Sequence, residues 1–204
     1  MPRMIGLFRQ NYPEVSVQLQ VHSTRRTGWS VANGQIDLAI IGGQLPEDLE
    51  NLLQVIPYAT DELALVLPSK HPLSNKKELL KEDLYKLNFV TLDSQSTTRK
   101  VVDKLLQDSG LEIQRLKIEM ELNSLEAIKN AVQAGLGASF LPVVSIEREL
   151  SAGTLHKVLI ADLEVKRELK LITNPSRYTS RASEVFKKNI LPQFASLESP
   201  LRKI

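Results

Sequence analysis

Residues 93–99, Asp93-Ser94-Gln95-Ser96-Thr97-Thr98-Arg99, set four hydroxyls, an amide, a carboxylate and a guanidinium side by side. They lie between an apolar strand, Asn88-Phe89-Val90-Thr91-Leu92, and a helix carrying Val101, Val102, Leu105 and Leu106. A hydroxyl-rich loop at a helix start offers free backbone N–H groups and the positive end of the helix dipole, which suits a carboxylate or a phosphate. The same residue types also cap helices, so plain N-capping by Ser96 or Thr97 is the bland alternative.

A second loop of this kind is Asn123-Ser124-Leu125-Glu126, again where a strand passes into a helix. Asn123 with Glu126 three residues on has the spacing of a capping box. Both loops stand at the carboxyl ends of strands, the place where open α/β sheets bind ligands. Thr24-Arg25-Arg26 and Ile41-Gly42-Gly43 occupy corresponding strand ends elsewhere and are expected to close over the same ligand. Arg25 and Arg26 read equally as a solvated helix face, and Trp29, the only tryptophan, as a packing or interface residue.

The remaining chemistry is sparse. The chain has no cysteine, which removes thiolate nucleophiles and Cys-ligated metals, and its three histidines, His22, His71 and His156, are scattered. G-x-S-x-G, H-E-x-x-H and Walker A spacings are absent, so a non-enzymatic protein without metal or cofactor is expected. Gly135-Leu136-Gly137 starts like a dinucleotide fingerprint, but it closes a helix and opens a strand, the reverse of the required context; Gly135 reads as a helix C-cap.

The elements that must position these loops follow from periodicity. Residues 2–11 and 24–33 read as helices, Val15 to Val21 as a half-buried or edge strand, and Ile36 to Ile41 as a strand. Leu52 to Tyr58 and Glu62 to Leu67 are two further apolar runs. Strands at 88–92, 118–122 and 138–141 alternate with helices, followed by a helix at 143–151, strands near 155–160 and 167–173, and a last helix at 179–191. That alternation predicts mostly parallel, doubly wound sheets. It further predicts two lobes, residues 1–68 with 142–204 and residues 69–141, joined by two crossings that make a hinge.

With 42% hydrophobic and 25% charged residues the chain is an ordinary globular one. A formal charge of +2 leaves no basic field for holding nucleic acid, and no apolar run approaches a membrane span. The expected location is the cytoplasm or a plastid stroma.

Four stretches together resemble the effector-binding domain of LysR-type transcriptional regulators: Tyr12-Pro13-Glu14-Val15, Asn33 to Ile40, Leu65 to Leu73 and Ala131 to Pro142. Residues 92–102 are similar to the cyanobacterial and plastid branch that controls Rubisco, bicarbonate-uptake and NADH dehydrogenase operons. The resemblance implies two Rossmann-like lobes joined by two crossover strands, periplasmic-binding-protein-like (type II), with a small anionic metabolite between them. In that branch the metabolites are 2-phosphoglycolate, 2-oxoglutarate and ribulose bisphosphate. It implies ligand contacts from Thr24, from the loop of Ser94, Ser96, Thr97, Thr98 and Arg99, and from Asn123 and Ser124. Ile41 and Gly42 join them by position.

It further implies a homodimer or homotetramer, contacts near Val15 to Val21 and the helix after Thr24, and DNA binding only through a winged helix-turn-helix that these residues do not include. The family's first strand, ahead of Pro2, is also not among them. A solute-binding protein of a transporter, with the same fold, is the alternative function.

Overall fold

Alternating apolar residues on two strands decide the architecture of the second half of the molecule. The structure, a computed structural model, describes residues 1–74 and 76–195. Along strand β2 (Gln54–Pro68), Leu63, Leu65 and Leu67 face one core while Val66 faces another. Along β4 (Asn88–Leu92), Phe89 and Val90 divide the same way. A strand buried on both faces needs helices on both sides, and the sequence supplies them. Val102 and Leu106 of α4 (Thr97–Asp108) fill the first core. Ile128 and Val132 of α5 (Leu125–Gln133) fill the second, with Leu150 of α6 (Glu147–Ser151) packed against it.

The chain divides into two units, Met1–Thr60 with the segment from Glu168 onward, and Asp61–Arg167. In the second unit β4 pairs parallel with β5 (Lys117–Leu122), and Phe89 bridges Ala138, just ahead of β6 (Ser139–Pro142), also in parallel. β6 pairs with β2, which pairs on its other side with β7 (Leu155–Ile160), itself parallel to the short β3 (Glu78–Leu79). Only β2 runs antiparallel to its neighbours in this unit, among the described residues. Parallel pairs, β4 with β5 and β3 with β7, thus stand beside the two antiparallel pairings of β2, so this unit is mixed where a mostly parallel sheet is expected. The boundaries differ from the expected ones at 68/69 and 141/142: they fall at 60/61 and 167/168. Residues 63–68 of β2 pair with β6 and β7, and that pairing draws residues 142–167 into the second unit.

The first unit holds α1 (Pro2–Asn11), α2 (Thr24–Ala32), β1 (Leu38–Ile41), α3 (Glu47–Glu50), the start of β2 and most of β8 (Lys166–Thr173). Of the runs Leu52 to Tyr58 and Glu62 to Leu67, residues from Gln54 onward form one continuous strand, β2, while Leu52 and Leu53 precede it. β1 is antiparallel to β8, so this unit too departs from the expected parallel order. Successive residues of β8 face opposite ways. Leu171 packs with Phe8, Phe186 and Ile190, and Ile172 with Val31, Leu45 and Leu49. The final helix, α7 (Arg181–Val185), continues through a π-helical turn, Phe186–Ile190, into α8 (Pro192–Ala195). The part of the expected first lobe from 196 to 204 lies outside the described residues.

The strand expected at Val15 to Val21 is not formed. Val15 and Val17 pack on the Phe8 and Phe186 cluster, while Leu19 is 45% and Val21 84% exposed. The alternation reports which side chains are apolar, but a strand also needs a partner for its backbone N–H and C=O groups, and no described strand pairs with this segment.

Candidate functional site

β4 and β5 end in register, Leu92 opposite Leu122, and the Asp93 amide then donates to the Leu122 carbonyl at 3.0 Å. The two polar loops leave adjacent parallel strands at the same end because the strands do. Asp93 shapes the first loop: its Oδ1 accepts from the Gln95 amide at 3.0 Å and its carbonyl from the Ser96 amide at 3.0 Å. Ser96 is the N-cap of α4, yet its hydroxyl makes no capping hydrogen bond. Ser124 is the N-cap of α5, and it makes none either. The capping box expected from Asn123 and Glu126 is not formed; Glu126 instead pairs with Lys129 at 2.7 Å. Neither of the two N-cap hydroxyls, Ser96 and Ser124, makes the capping hydrogen bond of the bland reading.

The second unit therefore brings together two helix N-termini with Ser94, Ser96, Thr97 and Thr98 on one and Asn123 and Ser124 on the other. Ser94, Asn123 and Ser124 are exposed, and Ser96, Thr97 and Thr98 half-buried. Amide groups that lack an intrahelical acceptor, aligned with two helix dipoles, favour an anion.

Arg99 is placed differently from its neighbours. Its Nε donates to both oxygens of Asp103 at 2.7 Å, its Nη1 to the Thr91 hydroxyl and, at 3.4 Å, to the Leu92 carbonyl, and Glu121 lies 3.8 Å away. Its charge is spent on the flank of α4. The cation that reaches the first turn is Arg167. Its Nη1 donates to the Thr98 hydroxyl at 2.7 Å, while Nε and Nη2 donate to Asp61 Oδ2 at 2.9 and 2.7 Å. Neither Asp61 nor Arg167 stands out in the sequence: each sits among other charges in a strand, and 106 residues separate them.

In the first unit Thr24 is buried at the first position of α2, whose N-cap is Ser23, its Oγ accepting from the Arg26 amide at 3.4 Å. Ile41 is buried in the core at the end of β1, and Gly42 follows it half-buried. Arg25 pairs with Asp48 at 3.1 Å on the surface and Arg26 is exposed, in keeping with a solvated helix face. Among the described residues no three or more His, Cys, Asp or Glu side chains gather where they could hold a metal ion. No helix among them is long and apolar enough to cross a membrane.

Comparison with known proteins agrees with this architecture. The family model described as the LysR substrate binding domain matches residues 1–195. A probable RuBisCO transcriptional regulator of Synechocystis sp. is 60% identical over 196 residues, covering 96% of this chain and 57% of the relative. One of Porphyra purpurea is 59% identical, covering 96% and 62%. The chain thus spans less than two thirds of the length of these curated relatives. Among solved structures, the Synechocystis PCC6803 CcmR regulatory domain in complex with 2-PG superposes with a TM-score of 0.83 at 25% identity, covering 96% of this chain and 91% of that one. The effector-binding domain of QuiR in complex with shikimate gives 0.78 at 21% identity, covering 94% and 88%. The fold is the two-unit α/β fold of regulatory domains of the type II periplasmic-binding-protein class. The family is one of transcriptional regulators and not of enzymes. With a match that runs from residue 1 to residue 195, the chain belongs to the LysR substrate-binding domain family.

Proposed function

We propose that this chain is the effector-sensing part of a LysR-type transcriptional regulator of carbon-assimilation genes. Its ligand is a small anionic carbon metabolite of the class of 2-phosphoglycolate, 2-oxoglutarate or ribulose bisphosphate. The observation that carries the reading is the pair of helix N-termini, α4 and α5, side by side at the ends of β4 and β5 with neither N-cap hydroxyl used for capping. Ser94, Ser96, Thr97, Thr98, Asn123 and Ser124 supply its donors. Each hydrogen bond to a charged oxygen contributes on the order of 1.5–3 kcal/mol, so a few suffice for selective binding. The likeness to probable RuBisCO transcriptional regulators supports a regulator of Rubisco genes over the transporter alternative, and the 2-PG bound to CcmR supports the ligand class.

The whole protein acts in the cytoplasm or plastid stroma as a homodimer or homotetramer, reads DNA through a domain outside these residues, and contacts its second copy near residues 15–21 and α2. A ligand that binds only the folded state raises its stability by about 2.7 kcal/mol at a hundredfold excess over Kd. Thermal-shift assays with calorimetry are expected to give a selective rise with one of the three anions and none with glycerol. The paired substitution of Thr97 and Thr98 by Val is expected to abolish that rise. A flat response to all three anions rules the reading out.

A further inference from the structure

The two positions at which the chain enters and leaves the second unit, Asp61 and Arg167, are joined by an ion pair, and Arg167 extends from it to the candidate binding loop. Asp61 is 6% exposed and the Arg167 side chain 14%, so the pair is held out of water. Both donations to Asp61, from Nε and Nη2, converge on one oxygen, Oδ2, which fixes the plane of the guanidinium. The third donation, from Nη1, goes to Thr98 Oγ1 in the first turn of α4.

This geometry has a chemical consequence for Thr98. A threonine hydroxyl has one proton to give and two lone pairs to receive. Since it accepts from a cation, its proton points elsewhere, and among the described residues it donates to no protein acceptor. A hydroxyl polarised by a guanidinium is a stronger donor, and charge-assisted hydrogen bonds are the strong ones. Arg167 keeps one N–H on Nη1 and one on Nη2 beyond those three, with no partner among the described residues. Arg99, the arginine nearest in sequence, has its guanidinium turned to Asp103, Thr91 and the Leu92 carbonyl.

We propose that Arg167, seated by Asp61, sets the charge preference of the site by fixing the Thr98 hydroxyl as a donor toward a bound carboxylate or phosphate oxygen. Arg167 and Asp61 are positioning residues; Thr98 makes the contact. The inference rests on the anion-binding function proposed above and adds the source of its selectivity. It also makes the two ends of the unit part of the site, because the ion pair joins the two strands that carry the chain across the boundary.

The test is calorimetric titration of the 204-residue chain and its variants with 2-phosphoglycolate, 2-oxoglutarate and ribulose bisphosphate, using whichever binds wild type, with melting recorded for each variant. Thr98→Val is expected to weaken binding about tenfold or more, and Thr98→Ser, which keeps the hydroxyl, to stay within about twofold. Arg167→Gln is expected to weaken binding about as much as Thr98→Val, and the double variant no further, since both remove one linked interaction. A residue that only supports the fold would lower the melting temperature without this coupling. Should Arg167→Gln not fold, Arg167→Lys serves: it retains a cation for Asp61 but lacks the fork that reaches two acceptors, and the same loss is expected. Lys104→Ala, an exposed site on the same helix, is the control.

If wild type binds and the Arg167 variant that folds binds equally well, or the effects of Arg167 and Thr98 are additive, the inference is overturned while the binding site stands. If wild type binds none of the three anions, the proposed function fails and the inference with it.

Discussion

Gly137 stands so close to Asn88 that a Cβ placed on it would lie 2.6 Å from the Asn88 carbonyl oxygen. The approach is what joins β6 to β4: the Ala138 amide donates to the Asn88 carbonyl at 2.7 Å, and the Val90 amide to the Ala138 carbonyl at 2.9 Å. It holds the strand whose far end carries the Asp93 loop. The obstruction is backbone, which cannot rotate away as a side chain can.

Gly137→Ala is therefore expected to destabilise the second unit by about 2 kcal/mol or more, the cost of forcing extra volume into a packed contact. Gly135→Ala, at a φ of +83° with nothing within 4 Å, is expected to cost only the left-handed strain of about 1–2 kcal/mol. Urea unfolding of the two variants ranks them. Equal losses would mean that the backbone approach at Gly137 is not what makes that position special.

A buried charge group in the same unit makes stability depend on pH. Lys129 Nζ donates to Glu126 at 2.7 Å, Glu149 at 2.8 Å and the Ser145 carbonyl at 3.3 Å. The hydrogen bond from Lys129 holds the Glu149 carboxyl below its ordinary value. Burial works against the charged form of Lys129, but the hydrogen bonds to Glu126 and Glu149 outweigh it and raise the ammonium. A carboxyl lowered by folding stabilises above its unfolded pKa, and that contribution is lost as pH falls through the folded one. A raised ammonium stabilises below its unfolded pKa and loses the contribution as pH rises through the folded one.

The pair's contribution is thus expected to be whole between the ordinary carboxylate and lysine ranges and to fade on both sides. Lys129→Met leaves Glu149 buried without its partner, and its Oε2 is already unpaired among the described residues. We expect a loss on the order of 3–5 kcal/mol at neutral pH that shrinks on acidification. A pH series of thermal melts checks it; a loss independent of pH would contradict the assignment.

Leu19 and Val21 are the exposed apolar members of an alternating segment, residues 15–21, that pairs with no described strand. In the proposed oligomer this segment faces the second copy, so Leu19→Glu with Val21→Glu is expected to weaken self-association about tenfold or more, as like charges meet across the interface. Sedimentation equilibrium of the chain reads the shift from dimer to monomer, and melting at a concentration where both proteins are monomeric is expected to be unchanged because both side chains are exposed. An unaltered dimer would place the contact elsewhere.

Much of this molecule follows from local pattern alone. The continuous apolar runs Leu63-Ala64-Leu65-Val66 and Phe89-Val90 mark strands buried on both faces, which need helices on both sides, since side chains on a strand alternate by geometry. The positions of Ser96 and Ser124 at helix starts, and of Gly135 after a helix, follow from backbone conformations set within a few residues. The polar loops at 93–99 and 123–126 are legible for the same reason.

Only the tertiary structure decided which groups those loops meet. Sequence proximity nominated Arg99, but helical spacing set Asp103 one turn along, and that carboxylate took the charge. Arg167 reaches Thr98 across 69 residues and Asp61 across 106, separations that no periodicity encodes. Gly137 looked like part of a glycine pattern, and its need for the absence of a side chain came from Asn88 on a strand 49 positions earlier. Residues 15–21 had a strand's pattern and formed none. A pattern in sequence specifies which faces are apolar; strand order and the course of the chain through the sheet specify who stands opposite, and those are settled by the packing of the whole unit.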